Sequence, residues 1–310
     1  KSAEKERVPW VGEEWHPKIA TEENVTPPPY YPDHPVSRQE WARYLNSISG
    51  ADIRVGKILA QLKKDGMDDD TVVIFFSDNG RLTARGIHWP FDQGLRVPLI
   101  VRDAKNFRVL SAKEKPEVVS NRVVSLLDLT ATTLAIAGLK RPNGMQSRVF
   151  LGKDVDPPRK YAFAARDRID ETVVRMRSVH DQQYHYIRNF TAGAGFETLN
   201  RYKEKCFLVK PLMRKLKAQG KLTGPALQLM QPFPEEMLFH VASDPHEIQN
   251  LAQSKDPRHK AALLRLRVAM ETWIIESGDR GHIPESPEIV APFLKEMHDW
   301  FGTPDWAKGQ

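Results

Sequence analysis
The chain has 310 residues, is 40% hydrophobic and 28% charged, and carries a net charge of +6. This is ordinary globular composition, enough for one large domain or two smaller ones. No apolar run is long enough to span a bilayer, and the single cysteine, Cys206, excludes an intrachain disulfide. The charge is uneven: residues 201–221 hold eight basic residues against one acid, Glu204. A solvated helix face or a polyanion-binding surface fits that stretch. No aromatic interleaving or nucleic-acid motif accompanies it, so nucleic acid is not the expected partner.

In chain order, residues 1–36 are polar and Pro-rich and read as an extended surface segment. A helix follows, with Ser37 and Glu40 at capping-box spacing. Trp41, Tyr44, Leu45, Ile48, Val55, Ile58, Leu59 and Leu62 form its apolar stripe, and Gly66 supplies the stop. Asp52 falls on that stripe and needs a partner there. Residues 71–76 read as a strand buried on both faces, ending on Ser77-Asp78-Asn79-Gly80. A second buried strand covers 97–101. A helix covers 125–137, with Ser125 as N-cap and Gly138 after its end. Helix–strand–loop–strand–helix is a doubly wound α/β pattern. After Asp156-Pro157-Pro158 the character changes. Strands are expected at 161–165, 172–179 and 184–187, the last two forming a hairpin around Asp181. A further strand is expected at 237–241 and an amphipathic helix at 261–275, before a weakly periodic tail. The expected division is 1–156, part of an α/β domain, and 157–310, a smaller α+β subdomain.

The chemistry centres on Asp78 and Asn79. A strand ending in a carboxylate and an amide places two hard oxygen ligands at a sheet edge, suited to Ca²⁺ or Mg²⁺. Asn79-Gly80 also reads as a simple turn. The pairs His180/His185 and His240/His246 lack helical zinc spacing and read as surface or hairpin histidines.

Ser77-Asp78-Asn79-Gly80, followed by Gly94-Leu95-Arg96-Val97-Pro98-Leu99-Ile100-Val101, resembles the second half of a type I sulfatase. Asp128-Leu129-Thr130-Ala131-Thr132 is similar to the family's Asp-x-x-Pro-Thr helix. Glu236-Met237-Leu238-Phe239, Ser243-Asp244-Pro245-His246-Glu247 and Asn250-Leu251-Ala252 resemble its C-terminal signature. The matches keep family order over roughly residues 37–255, and together they are specific. Residues 164–170 and 186–190 look most like the heparan N-sulfatase-like branch.

The resemblance implies an alkaline-phosphatase-like mixed sheet with flanking helices, plus a smaller subdomain with antiparallel strands. It implies hydrolysis of sulfate esters or N-sulfates, with a sulfated carbohydrate as partner. The location would be secreted, periplasmic or lysosomal. The nucleophile would be a formylglycine made from Cys or Ser in a Cys/Ser-x-Pro-x-Arg motif. A divalent cation, usually Ca²⁺, would hold the sulfate oxygens. Asp78 and Asn79 would be two of its ligands. Two departures stand out. No Cys/Ser-x-Pro-x-Arg occurs in these 310 residues, so formylglycine and the paired Asp ligands are expected upstream and Lys1 reads as the start of a fragment, inactive alone. Also, Ile87 stands where the family usually has a sulfate-contacting Lys. His88, as cation or proton donor, and Arg85 are the candidates to replace it. Asp167 and Arg168 are candidates for the substrate edge, with a salt-bridged turn as the alternative, and Arg96 reads as a structural ion pair. The rival functions are a phosphodiesterase or phosphonate hydrolase of the same superfamily, and a non-catalytic polyanion binder using 201–221.

Overall fold
The computed structural model describes residues 17–107, 109–110 and 119–308. Residues 1–16 of the Pro-rich lead lie outside the described residues. Helix α1 runs from Pro35 to Lys64. It starts two residues before the expected capping box. Pro35 presets the first turn, and His34 Nδ1 accepts from the Val36 amide at 3.1 Å. Ser37 is buried, and Glu40 turns inward instead. It accepts from the Tyr31 hydroxyl at 3.0 Å and from the Val209 amide at 3.0 Å. The helix ends at Gly66, in the left-handed region at φ 70°. Trp41 is in the core, but Ile48, Ile53 and Ile58 face solvent, and so does Asp52, which needs no buried partner there.

Strand β1 is Val73–Phe76, and it is not buried on both faces: Phe75 and Phe76 are exposed. It pairs antiparallel with β2, Leu99–Arg102, from Val73 opposite Arg102 to Phe76 opposite Leu99. This is a hairpin-like pairing rather than the parallel neighbour that a doubly wound pattern suggests. The short α2, Asp92–Leu95, lies in the connection. Helix α3, Leu127–Ile136, follows. Ser125 does not cap it through its side chain. Instead Asp128 reaches back to the Ser125 amide at 3.1 Å and takes a bidentate Arg159 at 2.6 Å on both oxygens.

The second sheet has order β3–β4–β5–β6, all antiparallel: Ala162–Ile169, Thr172–His180, Tyr184–Asn189 and Glu236–His240. Asp181 makes the β4–β5 turn by accepting from the Gln183 and Tyr184 amides. Helices α4 (Arg201–Cys206), α5 (Val209–Ala218) and α6 (Gly224–Leu229) lie between β5 and β6. Helix α7, Pro257–Ser277, opens with Asp256 capping Arg258 N at 2.8 Å and closes at Gly278. The tail forms α8, Pro287–Phe301, which contains Pro292 and escaped the periodicity argument.

Each face of this sheet has its own core. Val179, Tyr184, Tyr186 and Leu238 pack under α7 against Leu263, Leu266 and Met270. On the other face, Val174, Met176, Ile187, Met237 and Phe239 join Tyr31, Trp41, Trp89 and Phe91 with Val209 and Met213. Residues from both sides of position 157 therefore share one core.

Candidate active site
The segment between β1 and β2 is pinned by its own backbone. Gly80 N donates to Gly94 O at 3.1 Å and Arg81 N to Gln93 O at 2.9 Å. The Arg81 carbonyl in turn accepts from Thr83 N and Ile87 N, both at 2.8 Å. The two strands of this segment approach so closely that a Cβ on Gly80 would overlap the Gln93 carbonyl oxygen. One on Gly94 would overlap that of Trp89.

Asp78 and Asn79 sit exposed at the carboxyl end of β1. Among the described residues, their only side-chain hydrogen bond is mutual, Asn79 Nδ2 to Asp78 Oδ1 at 3.0 Å. One carboxylate oxygen and the Asn79 amide oxygen are left for a ligand. A charged and a neutral oxygen suit a hard divalent cation. Among the described residues, no group of three or more His, Cys, Asp or Glu gathers as a metal cluster. The pair therefore fits a cation as part of a ligand set of six or more oxygens.

The other candidates are placed differently. Arg85 is buried beneath the segment. It donates to the carbonyls of His246 at 2.6 Å and Glu247 at 2.9 Å, and its guanidinium stacks over the Phe91 ring at 4.1 Å. His88 is half-buried with φ 78°, in the left-handed region that side chains avoid. Burial, then the charges of Lys203 and Arg166, push its pKa down to about 3. It is thus a neutral imidazole, not a cation, and its Nδ1 is buried with no hydrogen-bond partner among the described residues. Asp167 pairs with Arg177 at 2.9 Å. Arg168 pairs with Glu285 at 2.7 Å and lies over the Phe293 ring at 3.8 Å. The structure brings Arg85 and His88 together with the Asp78 loop through one pinned segment. Arg168 instead engages Glu285 just before α8 and Phe293 within it. Arg96 is exposed, with Asp92 4.0 Å away.

Two supports were not visible in the sequence. The first comes from the basic stretch. Lys203 and Lys210 are buried, not solvated. Lys203 Nζ donates to Thr83 O at 3.2 Å and Ile87 O at 2.9 Å, and burial lowers its pKa well below the usual range. Arg166 adds a bond to His88 O and stacks on Trp89 at 3.9 Å. Lys210 and Arg214 pair with Glu204, and Lys217 with Glu197. The surface offered for polyanion binding is thus largely committed inside the protein.

The second support is the Asp244–Glu247 turn. Asp244 accepts from Ile248 N and Gln249 N, both at 2.8 Å. Glu247 is buried, accepts from Asp92 N at 2.8 Å, and lies 2.5 Å from His185 Nδ1. His185 is fully buried, so of the expected surface or hairpin placement it takes the hairpin one, opposite His180 across β4 and β5. The His180 ring lies tilted against it at 4.9 Å and 3.4 Å from Asp92. Only the spacing of the Asp-Pro-x-Glu signature hinted that these residues, some 150 positions from the loop, brace it.

Residues 7–139 match the family model described as Sulfatase. An ulvan-active sulfatase of Formosa agariphila is 34% identical over 263 residues, covering 84% of this chain and 42% of that protein. Residues 7–139 carry the domain of the sulfatase family. Human N-sulphoglucosamine sulphohydrolase is 29% identical to this chain over 301 residues, covering 90% of it and 55% of the human protein. The chain thus spans about half the length of the curated relatives it matches. Its fold matches a crystal structure described as a putative sulfatase from Bacteroides thetaiotaomicron. The TM-score is 0.53 at 18% identity, over 83% of this chain and 47% of that one. A second match is a complex described as containing its substrate D-glucosamine-2-N,6-O-disulfate. It has TM-score 0.52 and 17% identity, over 81% of this chain and 43% of that one. These neighbours have the mixed α/β, alkaline-phosphatase-like fold expected from the sequence.

Proposed function
We propose that this chain supplies part of the divalent-cation site, and the loop facing the substrate, of a sulfatase acting on sulfate esters or N-sulfates of a carbohydrate. The observation that carries the reading is the pair Asp78–Asn79. It is exposed at a strand end, on a backbone-pinned loop, with two oxygens unclaimed among the described residues. Ca²⁺, or Mg²⁺, is the cation proposed. Bound there, it would neutralise sulfate oxygens as their ester or N–S bond is cleaved. Asp78 contributes charge and Asn79 a neutral oxygen, and the remaining ligands and a formylglycine nucleophile are proposed to lie upstream. Arg85 holds the loop against the Asp244–Glu247 turn. Neutral His88 offers one N–H and one lone pair rather than a charge. Asp167 and Arg168 serve the substrate edge through the chain they order. The carbohydrate substrate is favoured by the names of the relatives, and a secreted, periplasmic or lysosomal location accompanies it.

Terbium luminescence tests the metal reading on the 310-residue chain. Tb³⁺ bound near Asp78 is expected to give sensitised emission that Ca²⁺ competes away. Asp78→Ala should weaken binding about tenfold or more, the scale of a lost charged ligand. Emission unaffected by Ca²⁺ or by Asp78→Ala would overturn it. The same chain is expected to release no sulfate from an aryl sulfate, and measurable turnover would show that the nucleophile has been misplaced.

A further inference from the structure
Helix α7 carries two apolar faces. Ala262, Leu263, Leu266 and Met270 are buried in the core against β4, β5 and β6. Leu264, Val268 and Ile275 point the other way and are 63%, 57% and 77% exposed. A helix with one partner needs one apolar stripe. Among the described residues no element covers the second. Its residues are not scattered. Pro257, Ala261, Leu264, Val268, Glu271 and Ile275 are all exposed and follow one another at steps of four, three, four, three and four residues. That is the spacing of the seam on which a second helix seats.

The seam is symmetric about its midpoint, level with Leu266. Pro257 mirrors Ile275, Ala261 mirrors Glu271, and Leu264 mirrors Val268. A second copy laid antiparallel therefore sets Leu264 against Val268, Pro257 against Ile275, and the long Glu271 against the small Ala261. It also brings Lys260 of each copy beside Glu271 of the other. Lys260 is exposed and in no ion pair among the described residues. Arg188 takes one Glu271 oxygen within the chain and leaves the other. Arg267, the charge nearest the midpoint, is already neutralised by Glu236. A parallel copy would instead oppose Glu271 to Glu271 and Lys260 to Lys260, which selects against it. Over a helix of this length the antiparallel contact runs about 30 Å.

We propose that α7 is a self-association surface: two copies of this chain pair through the seam 257–275, antiparallel about a two-fold axis level with Leu266. The pairing closes on itself, so it stops at a dimer. It stands apart from the metal reading, since α7 holds none of the candidate site residues.

The test is the association state of the 310-residue chain, read by sedimentation velocity from micromolar to submillimolar concentration. A reversible dimer is expected. Val268→Asp sets a charge into the seam of both copies and should weaken association about thirtyfold or more, the scale of a lost interface hot spot. Val268 is exposed in the single chain, so the variant should keep the wild-type circular dichroism. Phe76→Ser alters the open β1–β2 face and should leave the dimer constant unchanged. Orientation is read by cross-linking. An equal mixture of Leu264→Cys and Val268→Cys chains, treated with oxidised glutathione, should give a covalent dimer bridged from position 264 to position 268, identified by peptide mapping. The wild-type chain, with Cys206 alone, gives the background. A monomer throughout, or a dimer unmoved by Val268→Asp, would overturn the proposal. So would a dimer lost in Phe76→Ser, which would place the contact on the open sheet. Bridges that form as readily in either variant alone as in the mixture would rule out the antiparallel seam.

Discussion

The two sheets bury their apolar residues to very different degrees. Residues 71–76 and 97–101 are more uniformly apolar than 172–179 and 184–187, which carry Arg175, Arg177 and His185. Yet β4 and β5 are almost wholly buried, whereas β1 and β2 leave Phe75, Phe76 and Ile100 exposed. The difference is cover. β4 and β5 each have a strand on both sides, α7 on one face, and the Trp41–Trp89 core on the other. Among the described residues, β1 and β2 have only each other as strand neighbours. An apolar strand specifies that a surface can be buried; it does not supply the partner. The candidate loop hangs from the less covered sheet and is stabilised from the better covered one.

The largest test of that dependence is Glu247→Ala. It would strip buried Arg85, His185 and the Asp92 amide of their shared carboxylate. Removing one member of a buried charged network costs about 3–5 kcal/mol. Urea unfolding should show that loss, and hydrogen exchange should rise in residues 80–95. An exchange pattern unchanged there would mean the loop does not depend on the distal turn.

A smaller effect is expected from pH. Burial opposes a charge on His180, but Asp92 overrides it and raises the pKa above the ordinary 6.5. The carboxyl of Asp92 is lowered below 3.8, with burial opposing and His180, His185 and Arg96 favouring the charged form. The His180 contribution is fully present below pH 6.5 and is lost as pH rises through the raised folded-state value. The Asp92 contribution is present above pH 3.8 and is lost as pH falls through its lowered value. The pair therefore stabilises most between pH 3.8 and 6.5. Its contribution is on the order of 1 kcal/mol. Stability measured from pH 5 to 9 should slope downward from this source, and His180→Gln should flatten that part of the slope. Glu247 and His185 face the same pair and remain in the variant as a background.

The smallest effect should come from the open sheet. Phe76→Ser changes a residue that is 47% exposed, and the cost should stay within about 0.5 kcal/mol. A cost several times larger would mean that this face is covered in solution.

Much of the C-terminal fold could be read from short-range signals. Asp181 in its turn, Asp256-Pro257 before α7 and Gly278 after it are local chemistry, and local chemistry is written in adjacent residues. The capping box at Ser37–Glu40 failed for the opposite reason. Tyr31 and Val209 compete for Glu40, and Val209 lies 169 residues away. The basic stretch misled likewise, because Lys203 and Lys210 find buried carbonyls and Glu204 that composition does not reveal. At the candidate site, the placement of Asp78 and Asn79 at a strand end was legible because a strand and its loop are contiguous. Arg85 and His88 were visible as residues but not as roles. Whether a cation faces a ligand or a carbonyl is decided by the other end of the chain.

The close approach of Gly80 to Gly94 has a practical consequence for loop transplantation. Because each glycine leaves room for the backbone opposite, the turn proposed to hold the metal and the entry to β2 share a seam. Grafting residues 77–81 from another sulfatase should succeed only when residues 93–94 travel with them. In directed evolution these two short segments behave as one heritable cassette.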